Sequence, residues 1–213
     1  MVRFLDRHDA GRLLGQELAR TPLPAPVILG LPRGGVPVAA EVAVRLDAPL
    51  DVLVVRKLGL PEHPELAMGA VGEGGVTVLN PDVVRSSGVS RERLEEVARR
   101  ERAEVESRSE RFRRGRPGLE LAGRTAVIVD DGAATGATAR AACLIARAQG
   151  AEHVVLAVPV APPRLVDSLA AAGDADEVVC LHAPRDFGAV GAFYEDFSQT
   201  SDAEVVRILG AAG

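Results

Sequence analysis

Residues 127–138 read Val-Ile-Val-Asp-Asp-Gly-Ala-Ala-Thr-Gly-Ala-Thr. No other segment restricts the fold and chemistry of this chain as strongly. The stretch 125–129 is short, apolar and rich in β-branched residues, which suits a strand at the centre of a parallel sheet. It stops at two adjacent carboxylates, Asp130 and Asp131. Small residues follow (Gly132, Ala133, Ala134), and a helix is expected to open near Thr135 or Gly136. Such a helix start leaves backbone N–H groups open to an anion, and the helix dipole adds to the attraction. Thr135 and Thr138 can contribute hydroxyl donors. The two carboxylates would repel a phosphate, so their partners are hydroxyls or a hydrated cation. Phosphate donors beside diol acceptors fit a ribose 5-phosphate. The competing reading is a strand-to-helix turn from another sugar-phosphate or nucleotide fold.

The rest of the chain alternates in the same way. A helix is expected over 9–19, with Leu13, Leu14 and Leu18 on one face, then a strand over 27–31 and a helix over 36–45. Further strands are expected at 50–55, 76–80, 153–158 and 177–181, and further helices at 137–149 and 163–171. Ser201 and Glu204 have capping-box spacing and open a last helix. Strands alternating with helices imply a parallel sheet with right-handed crossovers, whose ligands lie beyond the carboxyl ends of the strands. Residues 56–75 hold two prolines and five glycines and read as irregular, apart from a short strand near 66–71. Within them Glu62, His63 and Glu65 read as ordinary solvated loop residues. Residues 90–114 read as a long charged helix. Its narrow apolar stripe (Leu94, Val97, Val105, Phe112) places it on the surface or in an oligomer contact rather than in the core.

Charge and composition narrow the partners. The net charge of −5 gives no global attraction to nucleic acid. The basic stretch from Arg111 to Arg116 is accounted for as compensation of a helix C-terminus. No apolar run approaches the roughly 20 residues of a membrane span, and the first residues lack a signal-peptide core, so a cytoplasmic protein is expected. Cys143 and Cys180 have no Cys or His at metal-ligand spacing and read as small hydrophobes. Among 25 basic residues Lys57 is the single lysine. That choice suits a site needing a compact, mobile ammonium.

Residues 126–138 resemble the phosphoribosyl pyrophosphate (PRPP) signature of the type I phosphoribosyltransferases. Four apolar residues (Ala126, Val127, Ile128, Val129) precede the two acids, and Thr135-Gly136-Ala137-Thr138 closes the motif. The resemblance implies one α/β phosphoribosyltransferase domain over 1–213, with a parallel sheet flanked by helices. A small hood from 159–163 and 183–200 and an inserted helix near 90–114 would complete it. It implies that Asp130 and Asp131 hold the ribose hydroxyls, and also a magnesium ion indirectly, through PRPP or water. Residues Gly132, Ala133, Ala134, Thr135, Gly136, Ala137 and Thr138 would wrap the 5′-phosphate. Arg33, Gly34 and Gly35 occupy the family's pyrophosphate loop. Arg56 and Lys57 would join them in neutralising the leaving group, under a lid formed by 58–75. Val160, Phe193 and Tyr194 are the candidates for the acceptor base, although the aromatic tail serves equally to anchor the chain end.

The implied reaction transfers ribose 5-phosphate from PRPP, with Mg²⁺, to a nitrogenous base or amine, releasing pyrophosphate. The same pocket without turnover would make a PRPP-sensing regulatory protein. The oxopurine enzymes of the family carry an acid just before the Thr-Gly pair. Here that position is Ala134, which argues against an oxopurine handled in the usual way. The long helix and the aromatic tail suggest a homodimer.

Overall fold

The structure is a computed structural model that describes residues 3–60, 63 and 66–212. Helix α1 (Arg7–Leu18) starts where Asp6 accepts a hydrogen bond from the Asp9 N–H. Strand β1 (Pro26–Gly30), helix α2 (Gly35–Leu46) and strand β2 (Leu50–Val52) follow. Strands β3 (Val55–Gly59), β4 (Ala67–Gly72) and β5 (Thr77–Leu79) come next, then helices α3 (Pro81–Ser87) and α4 (Arg91–Arg113). The chain continues through β6 (Thr125–Val129), α5 (Ala137–Ala148), β7 (His153–Val160), α6 (Pro163–Ala172) and β8 (Glu177–His182), and ends in α7 (Asp202–Ala211).

Five strands form a parallel sheet in the order β2-β1-β6-β7-β8. Strand β6 is buried along its whole length, as its unbroken apolar sequence requires. Successive residues point to opposite faces. Val27, Leu29, Ala126 and Ile128 pack with Ala142, Cys143 and Ile145 of α5 on one face. Ile28, Val127 and Val155 pack with Leu14 and Leu18 of α1 and Val38 and Val42 of α2 on the other. The loops after β1, β6 and β7 therefore meet along one edge.

Within the described part of 56–75, the short strand expected near 66–71 is present as β4, and residues 56–59, read as irregular, lie in β3. Strands β3, β4 and β5 form an antiparallel sheet, and the expected strand over 50–55 divides between the two sheets. Two of the glycines that read as loop, Gly69 and Gly72, are demanded by close packing. A β-carbon on Gly69 would collide with the Val78 carbonyl, and one on Gly72 with Ile145 of α5. Glu62 and Glu65 of the expected lid lie outside the described residues.

Helix α4 also departs from the sequence reading. Val97, Val105 and Phe112 are buried in a second core with Leu58, Met68 and Val71 of the antiparallel sheet and Val205 and Leu209 of α7. Its narrow stripe suffices because ion pairs supplement it. Arg113 is buried and reaches Asp51 at 2.8 Å, with Glu73 as a second partner. Burial pushes its guanidinium toward the neutral form, but the hydrogen bonds and charges of Asp51 and Glu73 more than offset this and keep it charged. Arg113 is thus committed inside the fold, and Arg111 pairs with Asp202 of α7 at 3.0 Å. Among the described residues no helix is long and apolar enough to cross a membrane.

Candidate active site at the carboxyl edge of the parallel sheet

The loop after β6 carries the two carboxylates. Asp130 Oδ1 accepts the Asp131 N–H at 2.9 Å. Asp131 Oδ2 accepts Arg7 Nε at 2.9 Å, and the Asp131 carbonyl accepts the Tyr194 hydroxyl at 2.6 Å. Each carboxylate thus commits one oxygen to the protein. Among the described residues, nothing hydrogen-bonds the other oxygen of either. Burial pushes the Asp130 carboxyl well above the usual aspartate range; the charge of Asp131 adds to the rise, while the Asp131 N–H and Arg7 oppose it. Burial also raises Asp131, against the hydrogen bond and charge of Arg7.

Helix α5 begins at Ala137 with Gly136 as its cap, at a φ of 70°. Its opening N–H groups lack intrahelical acceptors. Ala134, Thr135 and Thr138 are exposed, as a phosphate cradle needs, and Ala137 is half-buried. Ala133 differs from its neighbours: its N–H donates to the Val160 carbonyl at 2.9 Å and its side chain is buried. It braces the loop instead of offering a donor. Gly132 is buried, and a β-carbon there would approach Val190 to 2.5 Å. The loop is therefore pressed against β7 and the C-terminal segment.

The loop after β1 faces the carboxylates. The Pro32–Arg33 peptide is cis, Gly34 caps α2, and the helix starts at Gly35. A β-carbon on Gly34 would collide with Asp131 Oδ2, and one on Gly35 would lie 2.5 Å from the Val129 carbonyl oxygen and 2.8 Å from Asp130 Cα. Two glycines occur in succession because the two loops touch. The Arg33 side chain leans toward Asp202 of α7, 3.5 Å away.

Arg56 and Lys57 do not follow a strand of the parallel sheet. They lie within β3 and line a cavity of about 750 Å³ between β3 and α4. Pro32 and Thr138 line the same cavity, so it joins both loops. Arg93, Arg100 and Arg108 of α4 face it too, with Glu96 and Glu101. Glu101 is buried and accepts Arg56 at 2.8 Å and Arg100 at 3.0 Å. Burial works to raise its carboxyl, and the two arginines bring it below its ordinary value.

Val160, Phe193 and Tyr194 are buried, at 0%, 2% and 3% exposure. In this arrangement they offer no face to an acceptor base. Phe4 pairs with Tyr194 along the backbone and packs against its ring at 5.4 Å, while Phe193 stacks on Phe187 at 5.5 Å. The aromatic tail anchors the chain ends to each other and to the Asp131 loop. Sequence reading missed Arg7, since nothing local marks an arginine whose partner lies 124 residues away. It missed Glu101 for the same kind of reason. Cys143, deep in the core, has its thiol pushed up to about 12, chiefly by burial, and is inert at neutral pH.

A glycine-bent loop facing paired carboxylates at a helix start, on the carboxyl edge of this five-stranded sheet, is the architecture of the type I phosphoribosyltransferases. The phosphoribosyl transferase domain family matches residues 7–181, and the chain belongs to it. A Mycobacterium tuberculosis H37Rv protein, Rv0571c, provisionally named a phosphoribosyl transferase, is 60% identical over 212 residues. The chain spans 47% of the length of that curated relative. The crystal structure of TT1426 from Thermus thermophilus is 51% identical, with a TM-score of 0.90 and 98% of each chain covered. The AQ2163 protein from Aquifex aeolicus shares the fold at 14% identity and a TM-score of 0.50, over 87% of this chain and 78% of that one.

Proposed function

We infer that the chain binds PRPP and transfers its ribose 5-phosphate to a nitrogenous base or amine with release of pyrophosphate. The observation that carries this reading is the pair of uncommitted carboxylate oxygens, one each on Asp130 and Asp131, beside the open N-terminus of α5. They suit the 2′- and 3′-hydroxyls of a ribose whose 5′-phosphate sits against Ala134, Thr135, Gly136, Ala137 and Thr138. Gly132 and Ala133 shape this loop from within.

Loss of pyrophosphate from C1 leaves an oxocarbenium-like centre that the acceptor nitrogen attacks from the opposite face. Gly34 and Gly35 let the backbone approach the pyrophosphate. Arg33, Arg56 and Lys57 stabilise the charge that grows on it. Arg56 is held by Glu101, so its full contribution requires that ion pair to open. Lys57, on a mobile four-carbon stem, can follow the phosphate as the bond lengthens. The two carboxylates also fit magnesium held indirectly, through PRPP or water: hard oxygens that can accept from coordinated water or sit beside ribose hydroxyls on the ion. The ion would neutralise charge on the departing pyrophosphate.

Release of pyrophosphate from PRPP, with Mg²⁺ and a panel of purine, pyrimidine and pyridine bases, tests the reading. Stoichiometric release with at least one acceptor is expected. Binding of PRPP without release on any acceptor would instead indicate a PRPP-sensing protein.

A further inference from the structure

We propose that Arg7 is the positioning residue for Asp131: it fixes which carboxylate oxygen faces the ribose and fastens the C-terminal segment to the donor loop. The proposal rests on the donor reading above. Arg7 lies outside every motif of the chain, on the first turn of α1.

Three directions of contact define its place. Arg7 Nε donates to Asp131 Oδ2 at 2.9 Å, with side-chain exposures of 11% and 15%. Arg7 Nη1 donates to the Ser198 carbonyl at 2.6 Å. The guanidinium carbon stands 4.0 Å from the centre of the Phe197 ring. One planar group thus bridges the chain's N-terminal helix, its C-terminal segment and the loop after β6. A lysine could make one of these contacts well, and the fork makes them together.

The contacts around Asp131 leave one atom for a ligand. Its N–H goes to Asp130 Oδ1, its carbonyl accepts from Tyr194, and Oδ2 takes Arg7 while packing against Gly34. Oδ1 remains. A carboxylate can exchange its two oxygens by rotation, and the Arg7 bond removes that freedom. The charged and titratable groups facing Asp131 are Arg7 from α1, Asp130 within the loop and the Tyr194 phenol from the tail; the turn at Gly34 presents backbone only. Arg7 supplies the positive charge among them. A merely structural Arg7, holding helix to tail, would leave the affinity of the folded chain for ribose 5-phosphate unchanged.

The test is calorimetry of ribose 5-phosphate on the wild-type chain and its folded Arg7 variants, paired with amide hydrogen exchange over the Asp131 loop and residues 195–199. Arg7→Met is expected to weaken ribose 5-phosphate at least about tenfold at neutral pH and to speed exchange in both segments. Arg7→Lys is expected to restore part of the affinity. Arg7→Gln keeps a hydrogen-bond donor without the charge; if the Met variant fails to fold, it is expected to show the same loss of affinity. Unchanged affinity or unchanged exchange in a folded neutral variant overturns the proposal. Wild-type protein that takes up no ribose 5-phosphate, with exchange still rising in the variant, removes the donor reading and the ribose half of this proposal, and leaves the Arg7 bridge standing.

Discussion

Gly34 packs against the carboxylate of Asp131 so closely that a β-carbon at Gly34 would collide with Oδ2 and come within 3.2 Å of Arg7 Nε. The loop after β1 and the loop after β6 are therefore one unit, although about a hundred residues separate them. Neither can shift without the other. Gly34→Ala is expected to cost about 1–3 kcal/mol of stability through overpacking. It should also weaken PRPP by tenfold or more, since the displaced carboxylate is the one assigned to the ribose. Thermal unfolding and calorimetry on the same sample measure both effects. A stable variant with unchanged affinity would show that the loops are not coupled.

The carboxylate pair sets a pH dependence. Burial raises both acids, Asp130 the more strongly. The folded chain therefore holds protons at a pH where the unfolded chain has released them. The pair's contribution to stability falls as pH rises from the ordinary aspartate value toward the raised one, and recovers as pH falls back through that window. Ligand binding is expected to run the other way, because on the proposed reading the ionised oxygens accept the ribose hydroxyls. Affinity for ribose 5-phosphate is expected to fall as the solution is acidified, with a midpoint above 3.8, the ordinary aspartate value. A midpoint at or below that value would contradict the burial of the pair.

Arg113 fastens α4 to β2 and to the turn at Glu73 that follows β4. Arg113→Met leaves Asp51 and Glu73 without their cation in a largely buried setting, at 7% and 15% side-chain exposure. Loss of one partner of a buried pair costs about 3–5 kcal/mol. Urea unfolding should show that loss, and Arg113→Lys should recover only part of it, because one ammonium cannot serve Asp51, Glu73 and the Val52 carbonyl together. A variant as stable as the wild type would show that the apolar stripe of α4 suffices alone.

Tyr194 supplies a smaller test of the tail. Tyr194→Phe keeps the ring against Phe4 and Phe197 but removes the donor to the Asp131 carbonyl. A cost of about 1–2 kcal/mol is expected, with weaker ribose 5-phosphate binding because the Asp131 loop loosens. Unchanged unfolding and binding would mean that the ring contacts alone hold the segment.

The parallel sheet was legible because burial on both faces writes an unmistakable apolar run, as in β6. The turn from β6 into α5 was legible because an apolar strand ending in acids, followed by small residues, marks a strand-to-helix loop. The antiparallel sheet was legible only in part: strands near 66–71 and 76–80 were expected, but β3 was not, and Gly69 and Gly72 read as loop because sequence shows the residue without the neighbour, β5 or α5, that requires it. Helix α4 misled for a related reason, since Arg113 and Glu101 read as solvent-facing charge until their partners on β2, β3 and the turn at Glu73 are seen. The aromatic tail could be read two ways, and burial of Phe193 and Tyr194 favours anchoring in this arrangement. Arg7 left no local signal at all.

The central claim is that Asp130, Asp131 and the start of α5 hold the ribose 5-phosphate of PRPP. Calorimetric titration of PRPP with Mg²⁺ into the wild-type chain and into Asp131→Asn tests it most directly. Saturable binding by the wild type and at least about a hundredfold weaker binding by a folded Asp131→Asn variant are expected, corresponding to loss of charge-assisted hydrogen bonds to the ribose. Equal affinity in the two proteins, or no binding by the wild type, would contradict the claim.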